Sequence, residues 1–405
     1  MSTDSAPPMA EFIAKAEAFL SSNAKRRRGQ GHGFAWGRGS DSVALFEETS
    51  PAQLDAAREW RRTTFDAGFG WLMGPVVYGG RGLSRLYERA YARLEAQYIV
   101  PSKQPFAVSL GMVAPATLDF GGEALKREVL RPLWRGDLIG CQLFSEPGAG
   151  SDLAGLSTSA QRSKEGWLIN GQKVWTSGAH YADVGLLLAR SSPGPRHRNL
   201  TAFLIDMEAP GVAVRPLRQM TGATEFNEVF LTDVIVPDDR RLGDVDAGWA
   251  VAVKTLLHER GSVAGATSGG TGILHPDRLL SMVLAMGLDR DPVVCDSLAR
   301  VYSGLLASRA LRLRVAADVA AGRSQFRPAS VMKLSLTNDM SALSEFVTTI
   351  LGPRLMADTG EWGTFAWGEF VLSVPGYRMG GGTDEIQKNI IAERVLGLPK
   401  DGTRE

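Results

Sequence analysis

The middle of the chain carries its most informative stretch, Gly166-Trp-Leu-Ile-Asn170-Gly171-Gln-Lys-Val-Trp175. Short segments rich in apolar residues lie on both sides of Asn170-Gly171. An Asn-Gly pair between two such segments is the strongest short-range signal for a β-hairpin. We therefore expect two short strands joined by a turn at Asn170-Gly171.

The predicted β-structure continues through the region around this hairpin, from about residue 141 to residue 240. Short strands separated by Pro, Gly and Asp turns favour a small barrel or a sandwich. The further strands are expected at Val184–Arg190, Leu200–Met207, Val212–Leu217 and Glu228–Val236.

Helical periodicity predominates on both sides of this β region. The N-terminal helices are expected at Glu11–Leu20, Gln53–Ala67, Ser84–Tyr98 and Glu123–Trp134. The C-terminal helices are expected from Asp291-Pro292 to about Gly322, from Pro328 to Gly352-Pro353, and at Thr383–Leu396. The predicted fold class is α+β multidomain, with an N-terminal α-helical domain at 1–140, a middle β-barrel domain at 141–240 and a C-terminal α-helical bundle domain at 241–405.

Composition excludes several classes of function. Lys plus Arg is 45 and Asp plus Glu is 44 in 405 residues, so a basic field for nucleic acid or a membrane surface is not expected. Two distant cysteines, Cys141 and Cys295, cannot form a disulfide framework or a cysteine-rich zinc site. The longest apolar run, Leu279–Leu288, is far shorter than the roughly 20 residues of a membrane span. We expect a soluble cytoplasmic protein without a metal site.

Two segments of the β region combine residue types that suit a ligand site. In Phe144-Ser-Glu-Pro-Gly-Ala-Gly-Ser-Asp152, glycines allow close backbone approach and serines add hydroxyl donors, although an ordinary turn is the alternative. In Lys173-Val-Trp-Thr-Ser-Gly-Ala179, Trp175 offers a flat apolar wall and Ser177 a hydroxyl. The alternative there is a tryptophan that fills the barrel core.

Two further segments lie in the C-terminal helical region. Leu256-Leu-His-Glu-Arg260 places a carboxylate beside an arginine, which is either a surface ion pair or, on a buried helix face, a candidate general base. Gly380-Gly-Gly-Thr-Asp-Glu-Ile-Gln387 is a glycine run that enters a helix. Such a run presents backbone N–H groups that suit an anion, or it is a simple capping loop.

In this order and spacing, the four segments resemble those of the acyl-CoA dehydrogenases. Tyr78-Gly-Gly-Arg-Gly82 and the stretch Glu228–Pro237 match the family as well, and the resemblance covers roughly residues 50 to 400. It implies that the C-terminal domain is a four-helix bundle.

The resemblance implies an FAD-dependent oxidoreductase of fatty acid metabolism and β-oxidation. Such an enzyme converts an acyl-CoA thioester to the trans-2-enoyl-CoA: a carboxylate takes the α-proton, the β-hydride passes to flavin N5, and an electron-transfer flavoprotein receives the electrons. The residues that match flavin-ring and diphosphate positions are Phe144, Ser145, Gly150, Ser151, Trp175, Thr176 and Ser177. Those that match positions at the adenine half are Thr383 and Glu385.

The resemblance also indicates the catalytic base. Most family members carry it as a Glu immediately before the Gly-Thr of the C-terminal motif, where this chain has Gly381. A second branch carries the Glu on the first helix of the C-terminal domain, just before an Arg, and Glu259-Arg260 matches that arrangement. Glu259 is therefore the expected base, and the implied substrate-binding residues are Ser151, Arg260, Gly381 and Gly382.

The chain departs from the family pattern at two places that concern assembly. The R-x-x-F-G segment, by which a neighbouring subunit reaches the FAD diphosphate, is missing after Gly265, and Thr349–Pro353 replaces the usual Q-x-x-G-G loop. A homodimer or homotetramer is expected from the family, and a hetero-oligomer stays open. A same-fold flavin oxidase or monooxygenase and a non-catalytic partner subunit are the alternative functions.

Overall fold

The chain divides into two compact units. The computed structural model describes residues 6–27, 49–266, 276–321, 328–357 and 364–400. Unit 1 comprises residues 1–30, 48–218 and 224–258, and unit 2 comprises 31–47, 219–223 and 259–405. The three predicted domain ranges stay a prediction.

The helices of unit 1 precede its main sheet in sequence. They are α1 (Met9–Asn23), α2 (Pro51–Asp66), α3 (Arg85–Glu95), α4 (Ala114–Phe120) and α5 (Glu123–Arg135). The Ser50 hydroxyl and the Gln53 side chain form a reciprocal capping box at the start of α2, where Pro51 suits the first turn. Gly136, at φ +87°, ends α5 in a left-handed conformation. The four predicted N-terminal helices are confirmed.

The strands form a small and a large sheet. They are β1 (Lys25–Arg26), β2 (Tyr98–Ile99), β3 (Gly140–Leu143), β4 (Ser159–Ser163), β5 (Gly166–Ser177), β6 (Val184–Arg190), β7 (Leu200–Asp206), β8 (Val212–Leu217), β9 (Phe226–Val236) and β10 (Arg241–Leu242). Strands β1 and β2 pair with each other. The eight-stranded sheet has the order β10-β7-β6-β4-β5-β9-β8, and β3 pairs with β6 in parallel. The predicted strands after the first hairpin are therefore confirmed.

The predicted hairpin turn at Asn170-Gly171 is wrong. Strand β5 passes straight through these residues and pairs with β9 on both sides of them. The register with β9 shifts between Ile169 and Gly171, so the Asn-Gly pair lies at a β-bulge. The turn lies at Lys164-Glu165 instead, between the antiparallel strands β4 and β5.

Close packing and a side-chain bond explain why Asn-Gly occurs at this bulge. A Cβ atom at Gly171 would lie only 2.3 Å from Oγ1 of Thr158, so glycine is needed for the close approach. Asn170 Nδ2 donates to Asp233 Oδ1 at 3.0 Å, and Asp233 N donates to Asn170 Oδ1 at 2.9 Å. The dipeptide therefore fastens β5 to β9 rather than reversing the chain.

Strand β6 separates two apolar layers of unit 1. Leu186 and Leu188 belong to the core that packs against α5, whereas Leu187 and Ala189 belong to the core on the other face. All four side chains are fully buried. The sequence of a strand that is buried on both faces is a continuous apolar run, and Val184–Arg190 has this pattern.

Unit 2 is helical and has its own core. Helix α6 (Gly248–Ala266) leads into it, and α7 (Pro276–Ala285), α8 (Pro292–Ala320), α9 (Pro328–Leu351), α10 (Thr364–Met379) and α11 (Asp384–Ile390) follow. Proline at the first position of α7, α8 and α9 supplies the φ angle that a helix start requires. Side chains from α9 and α10, including Leu343, Val347, Trp367 and Phe370, meet in the core. The predicted C-terminal helices are confirmed, and among the described residues no helix has the length and hydropathy needed to span a bilayer.

We predict that Leu20→Ala destabilises unit 1 by about 2–5 kcal/mol, because it leaves a cavity in the fully buried contact among α1, Tyr91 and Tyr98. Leu86→Ala is the matched control, since that side chain is 65% exposed on α3 and its loss should change the free energy of unfolding by under about 0.5 kcal/mol. Urea unfolding followed by circular dichroism measures both. Equal stability of the two variants would contradict the described core.

Candidate active site

The turn that follows β3 presents its backbone to solvent. Glu146 and Ala149 exchange two backbone hydrogen bonds of 3.0 Å each, which closes the turn. Phe144 is buried at its start, Ser145 is half-buried, and Gly150 and Ser151 are exposed. A Cβ atom placed on Gly150 would meet no heavy atom of the structure within 4 Å. The turn therefore offers open backbone that a ligand can approach closely.

Trp175 lies at the surface and not in the barrel core. Its side chain is 60% exposed and contacts Phe226 edge-on, with ring centroids 6.0 Å apart. Its backbone is left-handed, at φ +59°, within a register shift between Lys173 and Thr176. A bulky residue in this region is strained, and such strain clusters at ligand sites. The alternative of a core tryptophan is therefore wrong.

The two residues after Trp175 supply hydroxyl groups. Thr176 is 1% exposed, and its Oγ1 has no hydrogen-bond partner among the described residues. Its carbonyl accepts from Asn227 Nδ2 at 3.0 Å, which fixes the backbone beside β9. Ser177 is half-buried. A buried hydroxyl without a protein partner is a group that a polar ligand can satisfy, so this strand end fits a bound cofactor.

An ion pair that the sequence patterns did not predict joins these two segments. Lys173 Nζ lies 2.8 Å from Glu146 Oε1, with side-chain exposures of 0% and 3%. Burial opposes the charge of Glu146, but the Lys173 ammonium and the bonds from Ser157 and Thr158 lower its pKa to about 2. Burial lowers the pKa of Lys173 to about 8, although the Glu146 carboxylate acts to raise it. The sequence signal for the pair is weak, a lysine directly before Val174 and Trp175 in a predicted strand.

In unit 2, the glycine run before α11 is held by the helix it precedes. Gly381 and Gly382 have φ values of +68° and +86°, which favour glycine. The Thr383 hydroxyl accepts from Ile386 N at 3.2 Å, as an N-cap does. Gln387 Nε2 donates to the Gly381 carbonyl at 2.9 Å. These bonds cap α11, as the alternative of a capping loop predicts, and a ligand at this loop stays a prediction.

The acidic residues that follow this loop are already engaged. Asp384 is buried and accepts from Thr337 Oγ1 at 2.8 Å, Arg378 Nε at 2.8 Å and Lys333 Nζ at 3.2 Å. Burial opposes its charge, but these three donors lower its pKa. Exposed Glu385 has its pKa lowered by bonds to its own backbone N–H and to Thr383. Neither carboxylate is suited to take a proton from a weak carbon acid.

Glu259 lies beside the loop, at the position that matters for the choice of base. Its side chain is half-buried on α6. A Cβ atom built on Gly381 would be 3.6 Å from Glu259 Oε1. The two positions at which the resemblance allows a base are thus neighbours in unit 2. The Arg260 side chain lies outside the described residues.

Comparison with known proteins identifies the family. The model of the acyl-CoA dehydrogenase middle domain matches residues 141–234, and the model of the acyl-CoA dehydrogenase C-terminal domain matches residues 246–396. Together these matches cover more than half of the chain.

Individual relatives agree with these matches. Acyl-CoA dehydrogenase FadE34 of Mycobacterium tuberculosis is 40% identical over 71% of this chain, which spans 39% of that protein. Acyl-CoA dehydrogenase IpdE1 of the same organism is 36% identical over 86% of this chain and 89% of its own length. The solved steroid ACAD Tcur3481-Tcur3483 has the same fold, with a TM-score of 0.74, 23% identity and coverage of 99% of this chain and 100% of its own. The chain belongs to the acyl-CoA dehydrogenase family, whose members are oxidoreductases that use FAD.

Proposed function

We propose that this enzyme converts an acyl-CoA thioester to its trans-2-enoyl-CoA, with Glu259 as the base that accepts the α-proton. One observation supports the assignment of the base: Glu259 Oε1 lies 3.6 Å from where the Cβ atom of a side chain at position 381 would be. Gly381, which lacks a side chain, and Glu259, which carries a carboxylate, are therefore neighbours in unit 2. Flavin chemistry alone does not remove the α-proton, so the proposed reaction needs such a carboxylate.

Glu259 suits this role better than the neighbouring acids. A general base must reach the proton, and a carboxylate whose pKa is lowered is a poor proton acceptor. Asp384 is buried and held by three donors that lower its pKa, and bonds at the helix start lower the pKa of Glu385. Half-burial of Glu259 reduces its hydration while leaving it accessible to a substrate carbon.

The flavin contacts carried over from the family fit the chemistry of unit 1. The open backbone at Gly150 and Ser151 suits a phosphate, exposed Trp175 suits the flat flavin ring, and the buried Thr176 hydroxyl suits a polar ring atom. FAD, when bound, supplies a hydride acceptor for the β-hydrogen. The proposed ring and diphosphate contacts are Phe144, Ser145, Gly150, Ser151, Trp175, Thr176 and Ser177. The proposed contacts at the adenine half are Thr383 and Glu385.

The substrate contacts are proposed around the CoA end and the thioester. Ser151 is exposed and follows the turn after β3, so its hydroxyl suits the pantetheine chain. Backbone N–H groups at Gly381 and Gly382 are candidates to face the thioester, and Arg260 is assigned to the CoA end. Donors directed at a thioester carbonyl increase the acidity of its α-proton.

The proposed partners complete the redox cycle and the assembly. We assign an electron-transfer flavoprotein as the acceptor of the two electrons. The enzyme is proposed to be a homodimer or homotetramer, or a hetero-oligomer in view of the altered segments after Gly265 and at Thr349–Pro353. We place the activity in the cytoplasm, where the free exposed thiol of Cys295 would stay reduced.

We predict that Glu259→Gln keeps FAD and binds acyl-CoA but lowers the rate of flavin reduction by at least about 100-fold, because glutamine cannot accept the α-proton. Anaerobic stopped-flow mixing with a panel of acyl-CoAs measures this rate through the loss of flavin absorbance. Glu345→Gln is the matched control, since Glu345 is exposed on α9 of the same unit. Reduction of the Glu259→Gln flavin at nearly the wild-type rate would show that the base assignment is wrong.

We predict that adding Gly381→Glu to the Glu259→Gln variant restores part of the rate, because the new side chain starts 3.6 Å from the position of Glu259 Oε1. Recovery should be partial, since a non-glycine residue at φ +68° costs roughly 1–2 kcal/mol. Gly380→Glu in the same background is the control and should restore nothing. The same stopped-flow measurement applies, and equal rates for the two double variants would contradict the assigned position.

A further inference from the structure

The Lys173 ammonium donates three hydrogen bonds inside unit 1. Nζ bonds Glu146 Oε1 at 2.8 Å, the Phe144 carbonyl at 3.1 Å and the Leu188 carbonyl at 2.8 Å. An ammonium has three N–H groups, so its donor capacity is fully used. One side chain therefore ties β5 to the turn after β3 and to strand β6, from which β4 separates it in the sheet.

The Glu146 carboxylate is equally saturated. Besides the ammonium, it accepts from Ser157 N at 2.6 Å, Ser157 Oγ at 2.7 Å and Thr158 N at 2.9 Å. It thereby joins the turn after β3 to the segment that leads into β4. The pair connects four stretches of backbone through six hydrogen bonds, and five of these are to groups other than the opposite charge.

The hydrogen bonds of Lys173 and of the adjacent Val174 reach residues proposed to contact the flavin. Lys173 holds the Phe144 carbonyl, and Val174 N donates to the Ser145 carbonyl at 2.9 Å. The register shift that turns Trp175 outward begins at Lys173. The pair is thus built into the backbone that carries the ring-facing residues of both segments.

Stability alone does not account for a buried charged pair. Desolvation of two ions offsets most of their attraction, and apolar residues of similar volume often stabilise a core as well or better. An apolar residue at position 173 would leave the Phe144 and Leu188 carbonyls without this donor. The pair instead fixes the direction and distance among these segments, because a fully satisfied polar network is directional.

We propose that Lys173 and Glu146 are positioning residues, which hold the turn at 144–151 and the bulge at 173–177 in the relative placement that FAD binding requires. This inference rests on the proposed function. Neither side chain is exposed enough to contact the cofactor, so both act through the residues they hold. Placement matters because a shift of about 1 Å in a site can cost about 100-fold in rate.

The test compares FAD binding and flavin reduction in holoenzyme variants. Lys173→Met and Glu146→Gln should each weaken FAD binding at least about 10-fold, measured from the fluorescence of FAD released on dilution, and should shift the flavin absorbance spectrum. The reduction rate at saturating acyl-CoA should fall by a similar factor. The double variant should be no worse than the poorer single variant, because the two residues act as one unit.

Leu20→Ala is the matched control for stability. It lowers the free energy of unfolding through a core in unit 1 that contains none of the proposed flavin contacts, and it should keep wild-type FAD affinity and spectrum. If Lys173→Met does not fold, Glu146→Asp serves in its place: it keeps the charge, shortens the reach, and should also weaken FAD binding. Wild-type FAD affinity and spectrum in a folded pair variant would overturn the proposal.

The two proposals fail in different ways. If the wild-type protein binds FAD but no acyl-CoA of the panel reduces that FAD, the proposed function is wrong, whatever the pair variants do. A wild-type protein that reduces its FAD, together with pair variants that match it in affinity, spectrum and rate, would contradict only the positioning role.

Discussion

A buried ammonium needs an acceptor for each of its protons, and Lys173 meets this requirement with one carboxylate and two carbonyls. The constraint reaches beyond the pair itself. To place Nζ among those acceptors, β5 keeps Lys173 facing inward and then shifts its register, which leaves Trp175 facing outward in a left-handed conformation. The exposed indole and the buried Thr176 hydroxyl are consequences of the same local geometry.

Unit 2 contains a buried carboxylate whose hydrogen bonds also hold several segments together. Asp384 joins α9, α10 and the start of α11 through Lys333, Thr337 and Arg378. These bonds fix the glycine loop next to Glu259, so the carboxylate assigned as base adjoins a rigid stretch of backbone. In both units a saturated ionic group holds a glycine-containing turn that carries residues proposed to act on ligands.

Much of this arrangement could be predicted from the sequence, and the exceptions have identifiable physical causes. Strand β6 was predicted with its observed bounds because burial on both faces gives a continuous apolar run. The Asn170-Gly171 turn was wrong because the same dipeptide that suits a hairpin also suits a bulge. The close approach of Thr158, which comes from an earlier segment, decides between the two structures.

The role of charged residues was harder to predict for a similar reason. Glu146 and Lys173 lie in segments that the sequence singled out, but their pairing depends on how the turn after β3 packs on β5. Glu259 was chosen through family resemblance, and its nearness to Gly381 comes from the folding of α6 and the loop before α11. Local patterns predict elements and candidate residues, whereas contacts between distant segments require the three-dimensional structure.

The central claim is that Glu259 removes the α-proton of a bound acyl-CoA. The most direct measurement uses an acyl-CoA analogue that has no removable β-hydrogen, incubated with the holoenzyme in D2O and followed by mass spectrometry. Because no hydride can leave, the assay isolates proton transfer at the α-carbon. The account predicts that the wild-type enzyme incorporates deuterium at this carbon and that the Glu259→Gln variant does not. Equal deuterium incorporation by the two proteins would contradict the account.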